Sequence, residues 1–87
     1  MPASSHEQLY AGTQLRVVAP SDSTDLALNG VYPRAIYVGG AGNLAVVSVD
    51  DEAAVTLNGI ATGVAHAIAA KKIMATGTTA TGIVAVY

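Results

Sequence analysis

Every apolar stretch of this chain is short, and each is stopped by a turn former. Residues 15–19, 34–38, 44–49, 53–57 and 83–87 are rich in Val, Ile, Leu and Ala, bounded by Pro, Gly, Asn, Asp or Thr. β-Branched runs of this length, punctuated about every 8–12 residues, match short strands and leave no room for long helices. The pattern predicts an all-β fold, a small antiparallel sandwich or barrel of about six short strands. Residues 1–13 are small and polar without a period and read as a flexible N-terminal arm. Residues 14–87 then form a single β domain, all that 87 residues allow.

The segment 64–75, VAHAIAAKKIMA, is the ambiguous one. Its Ala, Lys and Met favour a helix, but helical spacing gives only a poor apolar stripe. A strand puts Lys71 and Lys72 on opposite faces, which suits an edge, where lysine guards against unwanted pairing. The expectation is one more strand, at a sheet edge.

Residues 38–45, VGGAGNLA, raise a chemical question, because Gly40-x-Gly42-x-x-Ala45 fits a relaxed dinucleotide fingerprint. Such a site needs a helix after the glycines, so that free amides and the helix dipole face the pyrophosphate. Here the glycines lead into Leu44-Ala45-Val46-Val47-Ser48-Val49, a strand pattern, and no acid stands at the expected distance. The stretch is therefore expected to be a hairpin turn in which glycine supplies positive φ.

The remaining polar groups give no reactive set. Asp50-Asp51-Glu52 lacks the alternating oxygen ligands of a calcium loop and reads as a solvated turn. Ser21-Asp22-Ser23-Thr24-Asp25 is a run whose side chains bond their own backbone in turns. His6 and His66 stand apart without ligand-spaced partners, and cysteine is absent. No nucleophile elbow occurs. Neither catalytic, cofactor-binding nor metal residues are assigned.

Composition enters through the core. The apolar share is 52%, yet seventeen residues are alanine, Phe and Trp are absent, and the aromatics are Tyr10, Tyr32, Tyr37 and Tyr87. An alanine methyl contributes far less than the roughly 1.5–3 kcal/mol of a buried Val or Leu side chain. Small domains already bury little, so this core should be marginal without disulfides. Neighbouring subunits are the remaining source of stability. Candidate interface residues are Arg34 and Tyr37, types enriched at hot spots, with Lys71, Lys72 and Tyr87. The net charge of −2 includes no basic stripe, which argues against nucleic acid, and no run approaches a membrane span. The opening MPASSHEQLY lacks the basic start and apolar core of a signal peptide.

Three stretches carry a family resemblance: residues 33–39 (PRAIYVG), 42–47 (GNLAVV) and the ending 75–87 (ATGTTATGIVAVY). Residues 20–25, Pro-Ser-Asp-x-x-Asp, fit the same pattern. Over roughly residues 17–87 the chain resembles the head spike-base proteins of gene transfer agents and related tailed phages; it departs from them at 66–74. The resemblance implies a non-enzymatic structural protein made in the bacterial host cytoplasm, sitting on the capsid surface of a virion and anchoring a spike or fibre. Its implied partners are copies of itself, the major capsid protein and the spike or fibre protein. It transfers no catalytic residue and no cofactor. A second class, a small carbohydrate-binding module, would need aromatic platforms that four tyrosines without tryptophan supply thinly.

Overall fold

A computed structural model describes residues 14–87. The expected arm, His6 and Tyr10 lie outside the described residues. Seven strands follow in order: β1 (Leu15–Val17), β2 (Ala35–Gly40), β3 (Leu44–Ser48), β4 (Val55–Leu57), β5 (Val64–His66), β6 (Ala70–Ile73) and β7 (Thr81–Val86). The described residues contain no helix, and all pairings are antiparallel. One sheet has four strands in the order β1-β7-β2-β5; the other has three, β4-β3-β6. The all-β reading holds.

The core lies between the sheets. Ile36 and Val38 of β2 with Ile83 and Ala85 of β7 meet Leu44 and Val46 of β3 with Ala70 and Ile73 of β6. Period-two alternation puts the β2, β3 and β7 pairs each on one face, and on β6 a register shift opposite Val47–Ser48 lets Ala70 and Ile73, three residues apart, both turn inward. β3 is buried on both sides: Ala45 and Val47, which lie outside that cluster, are also sealed from solvent.

Two expectations need correcting. Residues 64–75 make two strands, β5 and β6, that belong to different sheets. The lysines sit on β6, at the edge of the three-stranded sheet as expected, but the chain has crossed over before it reaches them. The VGGAGNLA stretch, in turn, joins no hairpin, because β2 and β3 lie in different sheets. It is a corner between the layers.

Close approach explains the glycines at that corner. A Cβ on Gly40 would overlap Thr81 Oγ1, its partner in the ladder. At Gly42 φ is +150°, and a Cβ would lie 2.5 Å from the Ala80 nitrogen. Asn43 rivets the corner. Its carbonyl accepts from Thr79 N–H (2.9 Å) and Ala80 N–H (3.1 Å), and its N–H donates to Thr79 Oγ1 (2.9 Å). Its Oδ1 accepts from Gly59 N–H at 2.9 Å. Because the Asn43 amide is spent on Thr79, it is not offered to a phosphate. The tight two-residue turn lies elsewhere, at Asn29-Gly30, where φ is +52° and +79° and Leu28 and Val31 exchange backbone bonds.

Residues 18–26 form a strap along the β6 edge. Ser21 N–H donates to the Ile73 carbonyl and Leu26 N–H to the Lys71 carbonyl, both at 2.9 Å. The polar run is self-bonded at Ser21 and Asp25, though not at Asp22, which reaches Thr76: Ser21 Oγ accepts from Ser23 N–H and Thr24 N–H at 3.3 Å, and Asp25 Oδ1 from Ala27 N–H at 2.8 Å.

Candidate functional site

The feature most open to a partner is the outer face of the four-stranded sheet. With Ile36, Val38, Ile83 and Ala85 turned inward, the alternate residues face out. Register aligns them in two rows. One runs Leu15, Val86, Ala35; the other runs Val17, Val84, Tyr37, Ala65. No charged side chain interrupts either row. Leu15 is 62% exposed, Val17 86% and Tyr37 38%. Leu15, Tyr37, Ala65, Val84 and Val86 line a shallow depression of about 290 Å³. Isolated apolar residues on a surface are ordinary, whereas a contiguous uncharged patch marks an interaction site.

The opposite outer face is treated differently. Ala45 is only 2% exposed because the turn at residues 75–79 folds over it: Gly77 lies against its methyl, and its N–H donates to Thr78 Oγ1 at 3.0 Å. Asp22 on the strap holds that turn down. Thr76 donates both its N–H, to Asp22 Oδ1 at 2.9 Å, and its hydroxyl, to Oδ2 at 2.6 Å. These bonds to the ionised form hold the Asp22 carboxyl below its usual pKa. Tyr87 ties the other end of the strap, its hydroxyl donating to the Leu26 carbonyl at 2.6 Å. Burial raises the pKa of that phenol. The bond to Asp25 Oδ2, 3.1 Å long, raises that of Tyr32.

Of the five candidate interface residues, Tyr37 alone lies on the outer rows. Arg34 was expected within the strand but stands one residue before β2, its N–H donating to the Val86 carbonyl at 2.8 Å. Lys71 donates its ammonium to the Asp51 carbonyl at 3.2 Å, while Lys72 sits opposite Val47 on β6. Tyr87 serves the strap. Sequence reasoning missed Leu15, Val17, Ala65, Val84 and Val86. The readable signal was the unbroken apolar run of 83–87, which needs cover on both faces of its strand. His66 directs Nε2 to the Ala61 carbonyl at 2.8 Å, and Asp51 N–H donates to the Ser48 carbonyl at 3.0 Å, closing the acidic turn. Among the described residues no three metal-binding side chains gather.

No family model and no curated protein matches the chain. Among solved structures, a chain from one described as the capsid of a native GTA (gene transfer agent) particle, computed with C5 symmetry, superimposes with a TM-score of 0.72. The two are 33% identical over 87% of this chain and 83% of that one. An all-β sandwich with this kinship is a structural protein of the capsid class. The chain belongs to the family of that GTA capsid chain.

Proposed function

We propose that this protein is a homo-oligomeric base on the outer surface of a virion or GTA capsid, where it anchors a head spike or fibre. The uncharged outer face of the four-stranded sheet carries this reading. The buried core is small, mostly Ile, Leu and Val with a few alanines, and outside it this face offers neighbours Leu15, Val17 and Tyr37. Kinship with a capsid chain solved under C5 symmetry supports both the setting and the presence of several copies. In this role the face meets the shell and the spike, while the roofed sheet only keeps the subunit folded.

Purified capsids lacking this protein, mixed with it and sedimented, test the reading. The wild-type chain should pellet with them. Val17→Lys puts a charge in the middle of an apolar row at an 86% exposed position, so the isolated fold should change by no more than about 0.5 kcal/mol. That variant should stay in the supernatant. Equal pelleting of both, or of neither, would refute the assignment.

A further inference from the structure

The two sheets differ in whether they can be extended by another copy. The three-stranded sheet cannot propagate from end to end, because the strap bonds to its β6 edge through Ser21 and Leu26. The four-stranded sheet ends in β1 on one side and β5 on the other. No other strand among the described residues pairs with the outer edge of either. Unpaired edges of this kind are templates for another chain.

We infer that copies of this chain join edge to edge, β5 of one against β1 of the next, forming one continuous antiparallel sheet around the assembly. The inference rests on the homo-oligomeric reading above and names its interface. Three observations carry it. The first is direction: β1, β7, β2 and β5 alternate, so β5 runs opposite to β1. Rotation about an axis along the strands preserves direction, so β5 meets the neighbour's β1 already antiparallel. A head-to-tail contact of this type closes into a ring and uses both edges of every copy.

The second is chemical. Pairing β1 with another β1 centred on Arg16 would set two guanidinium groups directly opposite each other, which is destabilising. Against β5 the same arginine meets His66 or Val64. The third is phase. Ala65 lies on the outer face and must oppose an outer residue of β1, either Val17 or Leu15. In both registers the apolar rows continue unbroken into the next copy, and the exposed Leu15 and Val17 gain neighbours.

The absence of cysteine makes the test clean, since any disulfide must come from introduced residues. Directly opposed residues place their Cβ atoms about 4.5–5.5 Å apart, close enough for a disulfide after a small shift. Val17→Cys with Ala65→Cys, or Leu15→Cys with Ala65→Cys, should give a ladder of covalent oligomers on mild oxidation. Arg16→Cys with Ala65→Cys is out of phase and should give none. Leu15, Arg16, Val17 and Ala65 are all exposed, so the variants should fold. Failure of both in-phase variants to form a ladder overturns the inference, as does a disulfide dimer from Ala65→Cys alone, which would mean β5 pairs with itself. Pelleting of the wild-type chain with capsids reports separately on the proposed function.

Discussion

The two sheets of this molecule share a core but treat solvent in opposite ways. The three-stranded sheet is finished from within: a turn covers Ala45, a strap occupies the β6 edge, and Asp22 binds the two covers together. The four-stranded sheet has neither cover nor strap among the described residues, and Val17 and Leu15 stand largely in water. The outer faces differ in composition too: Ala45 and Val47 lie beside Thr56 and Lys72, whereas the rows of the four-stranded sheet hold no charge. They differ again in which one the chain's own loops reach. Where the loops stop sealing the protein, a partner has a surface to use.

Placing one charge on each face would break this contrast if it is wrong, and it gives the largest expected effect. Ala45→Lys forces an ammonium beneath the turn and should destabilise the isolated protein by about 3 kcal/mol or more in urea unfolding. Val17→Lys, in the same assay, should be nearly neutral. Equal losses at both positions would remove the distinction. Gly42→Val comes next. Its Cβ would press on the Ala80 nitrogen at a φ that side chains avoid, and a loss of about 2–4 kcal/mol should appear as a lower urea midpoint.

Tyr87→Phe sharpens the comparison further. It strips the strap of one anchor and leaves the Leu26 carbonyl short of a partner, at a cost of about 1 kcal/mol. Pelleting with capsids should persist, since the outer rows are untouched. The smallest effect concerns pH. The folded pKa of Asp22 lies below its unfolded value, so the folded state gains from this carboxylate above the ordinary Asp pKa of about 3.9 and loses that gain as pH falls through the lowered value. Thermal melts taken between about pH 5 and about pH 2 should show a steeper decline for the wild type than for Asp22→Asn. Parallel declines would mean the clamp contributes nothing to acid sensitivity.

Much of this was legible in the chain. Runs of Val and Ile between turn formers located β1, β2, β3, β4 and β7, because burial at period two leaves a local trace. The turn bonds accepted by the Ser21 and Asp25 side chains were equally local, whereas the Asp22 bond to Thr76 left no local trace. The corner at 39–43 was misread because glycines required by a distant Thr79-Ala80-Thr81 backbone look the same as glycines required by a hairpin. Residues 64–75 were misread because nothing local says that a strand will switch sheets. The outer face was half visible. Tyr37 was picked for its type, but its companions became neighbours only through the pairing of β7 with β1 and β2, and of β2 with β5. Kinship with a GTA capsid chain accords with the gene-transfer-agent setting read from the sequence.

The placement of β7 has a consequence for the order of folding. Leu15 must wait for Val86 before β1 has anything to pair with, and β2, already paired to β5, gains its second neighbour only from β7. The three-stranded sheet draws its strands from the middle of the chain and closes over shorter loops, which is the faster process. The self-sealed half is thus positioned to form first, and the two apolar rows become continuous only when the last strand slots between two earlier ones. Until then β1 lacks its partner, so the outer face is the last part of the molecule to be completed.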